Sequence, residues 1–161
     1  MNYKSKFQAY SAVAVVQLVQ TSSPFNKKMK DNIILEKSFE FAVRVVNLYK
    51  HLSQDKKEYI LSKQLLRSGT SIGANINEAQ GELSLGKRGC PGVQAAQSKK
   101  DFIAKMAIAS KEARECKYWI DLLIKTDYLN SNDNHTKSLL NEIEEIIKLL
   151  TSIVKTGQNK Q

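Results

Sequence analysis

A chain of 161 residues with 42% apolar, 25% charged and 7% aromatic residues has the make-up of one globular domain with a sizeable core rather than of a disordered segment. Two cysteines supply no disulfide framework, and two prolines leave most of the chain free to form long helices. The formal charge of +9 is uneven: residues 1–30 hold five lysines and no acid, residues 82–100 hold four bases against one acid, and the rest is close to balanced. The excess therefore belongs to arms attached to the fold, not to a basic groove within it.

Residues 1–30 read as a poorly ordered extension. The apolar run Ala12 to Val19 is interrupted by Gln17 and followed by Pro24 and the Lys27, Lys28, Lys30 cluster. It is too short for a spanning helix and poor as a signal peptide. Nothing about the two cysteines suggests an oxidising compartment, so the default location is cytoplasmic. Met29 is an alternative start.

From Asp31 onward the apolar spacing is helical. Leu35, Phe39, Ala42, Val46 and Tyr49, widened by Val43 and Leu48, predict a first helix capped by Asp31 or Asn32 and ending near Leu52. A second helix is expected from Lys56 or Lys57, capped by Ser53 or Asp55. Leu61, Leu65, Ser68, Ile72, Asn75 and Ala79 carry its stripe through Gly69 and Gly73 without a phase break, and Gly81 is its expected stop. The next segment, 82–96, holds Gly86, Gly89, Pro91 and Gly92 and reads as a long basic loop. Ser98 with Asp101 then opens a third helix on Phe102, Met106, Ala109, Ala113, Cys116, Ile120 and Leu123, ending near Thr126. The fourth is capped by Asn132 or Asp133, follows Leu139, Ile143, Ile146, Leu150 and Ile153 beside Leu140, Ile147 and Val154, and stops at Gly157. Four amphipathic helices without a strand pattern predict an all-α, up-down-up-down antiparallel four-helix bundle over 31–157, with 158–161 fraying.

Sites of chemistry are sparse. His51 and His135 lie near helix ends without the Glu-x-x-His spacing of a bundle di-metal site. Cys116 falls on the apolar stripe, and Cys90 is either a reactive or an incidental loop thiol. Gly69 and Gly73, spaced Gly-x-x-x-Gly, leave bare backbone on one helix face for another helix to pack against. Arg67, Ser71, Asn75 and Glu78 form a polar stripe, with Glu112 and Glu115 beside the third helix's apolar seam and Tyr118 and Trp119 one turn later. These residues are either a solvated face or a polar network at a helix or subunit interface. No catalytic, cofactor-binding or metal-binding residues are assigned, and no membrane or small-molecule substrate is expected.

Three blocks, EKSFEFAVRVVNLYKHL at 36–52, RSGTSIGANINEAQG at 67–81 and QSKKDFIAKMAIASKEARECKYWIDLL at 97–123, closely resemble bacterial four-helix bundle proteins related to the 23S rRNA intervening-sequence protein. The resemblance covers about 30–155. It implies a closed bundle with no known catalytic activity, encoded in many cases within intervening sequences of ribosomal RNA genes. Relatives include the accessory variability determinant of diversity-generating retroelements, a pentameric basic bundle that binds nucleic acid and a reverse transcriptase. By resemblance the protein is a homo-oligomer, a pentamer on that model, with structured RNA or an RNA-handling protein as partner. Typical members pass almost directly from the EAQG motif to SKKDF, so 82–96 reads as an insertion, and 1–28 stands outside the pattern. Lys87, Arg88, Lys99 and Lys100, flanking a helix N-terminus, are the candidate phosphate contacts. The competing expectation is a protein-interaction adaptor without nucleic-acid affinity.

Overall fold

Every regular element among the described residues is an α-helix. The computed structural model describes residues 32–86 and 93–159, so the extension at 1–30, Lys87, Arg88, Cys90 and Pro91 lie outside the described residues. Among these residues four helices form, α1 (Ile33–Gln54), α2 (Leu61–Gly86), α3 (Val93–Lys125) and α4 (Asn134–Gln158), all but the first residue within one compact unit, Ile34–Gln161.

The helix ends follow local chemistry. At the start of α4, Asp133 takes an extended conformation and its carboxylate accepts the Thr136 N–H at 3.2 Å, a side-chain cap of the expected kind. The end of α3 is closed by Asp127 in the left-handed region, φ 61°. There the Tyr128 N–H reaches the Leu123 carbonyl at 3.0 Å and the Asp127 N–H reaches Ile124 at 3.2 Å, a Schellman closure in which aspartate stands where glycine is commoner.

The start of α2 departs from expectation, because neither Ser53 nor Asp55 caps it. Glu58, only 6% exposed, accepts the N–H groups of Ile60 (2.9 Å), Leu61 (2.8 Å) and Ser62 (2.6 Å) on its two carboxylate oxygens. The Ser62 hydroxyl donates back to the Glu58 carbonyl at 2.7 Å. One carboxylate thus satisfies three of the four orphan N–H groups of a helix start, and α2 begins at Leu61 instead of Lys56 or Lys57.

Between α2 and α3 the connection is shorter than the expected 82–96. α2 continues past Gly81 to Gly86, and α3 begins at Val93 ahead of Ser98. Gly81 has open space where a side chain would stand. Nothing there needs the glycine to end the helix, and Glu82 to Leu85 are compatible with continuing it. Gly157 likewise lies inside α4, which runs to Gln158. A Cβ there would stand 2.8 Å from Ile103 Cγ1, so this glycine admits a neighbouring helix.

Contacts between neighbours define the arrangement. Val45 and Ser38 of α1 lie against Gly69 and Gly73 of α2. Ser68 and Glu78 of α2 meet Cys116 and Lys105 of α3. Ile103 and Arg114 of α3 reach Gly157 and Thr151 of α4, and Lys37 and Arg44 of α1 reach Glu145 and Glu142 of α4. In each pair the residue number rises on one helix as it falls on the other, so each pair is antiparallel and the four contacts close a ring.

The core lies inside that ring. On α3 the expected stripe from Met106 to Leu123 is buried throughout, with Phe102 half-buried and Ile103 buried beside it. On α4 Leu139, Ile143, Ile146 and Leu150 are buried as expected, joined by Thr136, while Ile153 is half-buried. The small residues Ser68, Ala79, Ala109 and Ala113 are all fully buried.

α1 corrects the expected stripe. Its buried residues are Ile34, Leu35, Ser38, Phe41, Val45 and Leu52, while Phe39 is 48% and Val43 43% exposed. The face is rotated by about one residue because Ser38 occupies a core position. Its hydroxyl donates to the Leu35 carbonyl at 3.0 Å, so the polar group is satisfied locally. Its backbone carbonyl lies 3.5 Å from where a Gly73 Cβ would stand.

Candidate nucleic-acid interface

Of the four basic residues assigned to phosphate contact, Lys100 is exposed and Lys99 half-buried, while Lys87 and Arg88 lie outside the described residues. Because α3 starts at Val93, Lys99 and Lys100 do not flank its N-terminus. They stand about 10 Å along the axis from it, at 1.5 Å per residue. Their charge therefore acts from the helix side, and the helix-terminus contribution falls away within the first turn.

The residues assigned to a helix or subunit interface fall on two different seams of α2. Gly69 and Gly73 face α1, where the Val45 methyl carbons stand 2.8 and 2.9 Å from a Gly69 Cβ position. Of the polar residues, Glu78 reaches α3. Glu78 pairs with Lys105 at 2.8 Å, and the Asn75 amide donates to the Ser71 carbonyl of its own helix at 2.8 Å. On α3, Glu115 accepts the Trp119 indole N–H at 3.3 Å, and Glu112 is half-buried. Arg67 is exposed, and its guanidinium has no ion-pair partner among the described residues.

Cys116 is a core thiol. Burial pushes it up to about 12, against a hydrogen bond from Ser68 that acts in the opposite direction. A neutral, enclosed sulfur of this kind packs as a small hydrophobe and is a poor nucleophile.

Two open depressions mark the surface. One, about 700 Å³, runs along the α1–α4 seam between Lys37, Arg44, Lys137, Glu142 and Glu145. The other, about 550 Å³, lies at the bundle end and brings together Arg44, Lys56, Tyr128, His51 and His135. The two histidines, far apart in sequence, thus share a rim. His51 Nδ1 lies 2.7 Å from Asp55 Oδ2, and the His135 carbonyl accepts from Arg44 at 3.1 Å. Among the described residues no group of three or more His, Cys, Asp or Glu is placed to hold a metal ion, and no helix is long and apolar enough to cross a membrane.

The α1–α4 ion pairs and the Glu58 cap were not found from sequence. Arg44 and Glu142 carry no short-range motif, since their pairing depends on which helices are neighbours. The cap was readable in principle, because Glu58 precedes Ser62 by the spacing at which a buried carboxylate meets the first N–H groups of a helix.

Among curated proteins there is no match. A crystal structure of a protein of unknown function from the S23 ribosomal protein family of Bacteroides thetaiotaomicron is 48% identical, with a TM-score of 0.62. The match covers 76% of this chain and 98% of that one. A family model described as 23S rRNA-intervening sequence protein matches residues 30–88 and 92–152. It therefore spans the first three helices and most of α4, breaks only inside the connection between α2 and α3, and leaves the basic N-terminal extension outside. A glycine-notched α2, a closed ring of antiparallel contacts and a sequence match over nearly every described residue agree, and the chain belongs to the 23S rRNA-intervening sequence protein family.

Proposed function

We propose that this protein is a non-catalytic four-helix scaffold that assembles with copies of itself in the cytoplasm and binds structured RNA or a ribonucleoprotein. The observation that carries the reading is membership of a family named for intervening sequences of ribosomal RNA. The basic segment around Lys87, Arg88, Lys99 and Lys100 supports it, since clustered cations bind phosphate by releasing counterions. The subunit contact is assigned to the α2–α3 seam, where Arg67 has no ion-pair partner among the described residues and Glu112 stands half-buried. Five subunits is the number suggested by resemblance.

Light scattering coupled to size-exclusion chromatography, with and without cellular RNA, tests both halves. The expected result is a particle several times the 18.2 kDa chain that carries RNA and releases it as salt rises to roughly 200 mM. A monomer that carries no RNA overturns the reading.

A second reading, a protein-interaction adaptor, is favoured by one observation. Phe39 and Val43 stand 48% and 43% exposed on the same side of α1, and grouped exposed apolar residues suit a protein partner. Charge reversal at Lys87, Arg88, Lys99 and Lys100 separates the two. Partner recovery is unchanged for an adaptor and lost for an RNA binder.

A further inference from the structure

The charge of α3 is balanced in sequence and segregated in space. Between residues 101 and 130 the chain carries five bases and five acids, so nothing in the count marks the helix. The exposed residues of α3 from residue 100 onward are Lys100, Ala104, Ala107, Ile108, Lys111, Arg114, Tyr118 and Lys125. All but Ile108 recur at steps of four and three or their sum, which places them on one stripe directly opposite the buried residues. The stripe holds four cations and no carboxylate.

The acids of α3 lie on its flanks. Asp101, Glu112 and Glu115 are half-buried, and Glu115 is engaged by the Trp119 indole. Asp121 is half-buried toward α4 and holds Lys117 at 2.8 Å. Arg114 is fixed without being neutralised. Its guanidinium donates to the Ser110 carbonyl at 2.9 Å and to the Thr151 hydroxyl at 3.0 Å, both uncharged acceptors. Lys111 and Lys125 have no ion-pair partner among the described residues.

One aromatic ring interrupts the cations. Tyr118 is 58% exposed, and Trp119 meets it edge-on, with ring centroids 5.0 Å apart and planes at 71°. Because Glu115 holds the indole, Tyr118 leans on a fixed support. An exposed aromatic ring held in this way is well suited to stack an unpaired base.

We propose that this outer face of α3 is a track for single-stranded RNA, with phosphates on Lys100, Lys111, Arg114 and Lys125 and one unpaired base stacked on Tyr118. The proposal rests on the RNA-binding reading above and relocates its main contact from the connecting segment to the helix face. A duplex offers no free base face to Tyr118, which selects a single strand or loop. An anionic membrane suits the stripe less well. A surface-bound helix buries a broad apolar face in the lipid, whereas the apolar face of α3 is inside the bundle.

The test uses the full chain and an unstructured, fluorescein-labelled RNA oligonucleotide long enough to span about 38 Å, the axial length from Lys100 to Lys125. Anisotropy titrations at several salt concentrations compare the wild type with Lys111→Ala/Lys125→Ala, Tyr118→Ala and Tyr118→Phe. Thermal melts confirm folding, and Lys111→Gln/Lys125→Gln replaces the alanine pair should that variant not fold. The expected salt slope is about −0.7 per phosphate contact, so the double variant loses about 1.4 of slope. Tyr118→Ala weakens binding about ten-fold, and Tyr118→Phe retains the wild-type affinity.

If the wild type binds but these variants bind equally well, while reversal of Lys87 and Arg88 abolishes binding, the helix-face proposal fails and the broader RNA reading stands. If the wild type binds no RNA, or binds only phosphatidylserine vesicles, both fail.

Discussion

On its α2 side, α1 meets bare backbone: the Val45 methyl carbons lie within 3 Å of where a Gly69 side chain would begin, and the Ser38 carbonyl faces Gly73. On its α4 side, long side chains reach across instead. Lys37 pairs with Glu145 at 2.8 Å, and Arg44 binds Glu142, the Ser138 hydroxyl at 3.2 Å and the His135 carbonyl at 3.1 Å. The first seam is set by shape and has little freedom, because a buried β-branched valine is stiff and a backbone carbonyl cannot turn away. The second is set by charge over a partly open surface, where solvent and salt compete. One helix is thus clamped by two kinds of contact that respond differently to mutation and to conditions.

The largest expected effect is at the shape-determined seam. Gly69→Val forces its side chain into Val45 and destabilises the fold by about 3 kcal/mol, read by chemical denaturation. Adding Val45→Ala to the same chain recovers part of that loss, which a purely local helix effect would not do. On the charged seam, Arg44→Ala strips three partners and leaves Glu142 with a side chain only 17% exposed. Its cost is about 1.5 kcal/mol, allowing for screening at the one-third-exposed guanidinium.

The Glu58 cap adds a pH dependence of its own. Burial alone would raise its carboxyl, but the N–H groups of Leu61, Ser62 and Ile60 and the Ser62 hydroxyl outweigh it and hold the group below its ordinary 4.5. A carboxylate depressed on folding stabilises fully above its unfolded value and loses that contribution as pH falls through the folded one. Glu58→Ala therefore costs about 1 kcal/mol at neutral pH. Melts of the variant and the wild type converge below the folded value, and a gap that stays constant with pH would show that the cap is not ionic.

The smallest effect sharpens the contrast with Gly69. Gly81 has no atom within 4 Å of a Cβ position, so Gly81→Ala gains helix propensity without a clash and stabilises by up to about 1 kcal/mol. Two glycines on one helix thus give opposite signs, and a destabilising Gly81→Ala would place a neighbour there.

Much of the fold was legible because periodicity reports burial where only one face is apolar. α3 and α4 are of that kind, and the sequence determined their inner faces, the all-α class and the family. It failed on α1, where Phe39 and Val43 look as apolar as Phe41 and Val45, and a serine whose hydroxyl is satisfied within its own helix takes a core position. Only the neighbouring helix decides that case, since Ser38 is inside because Gly73 lies against it.

The candidate site divides in the same way. That Gly69 and Gly73 admit a close neighbour could be read from their spacing, but that the neighbour is α1, with Glu78 paired across to Lys105 of α3, could not. Nor does a count of five bases and five acids in 101–130 show that four cations and Tyr118 stand alone on the outer face of α3. The spacing of Lys100, Lys111, Arg114 and Lys125 is in the sequence. That no carboxylate is exposed among them depends on Asp101, Glu112, Glu115 and Asp121 being drawn to the helix flanks, and that is decided by tertiary structure, because a side chain's electrostatic partners are set by which helices flank it.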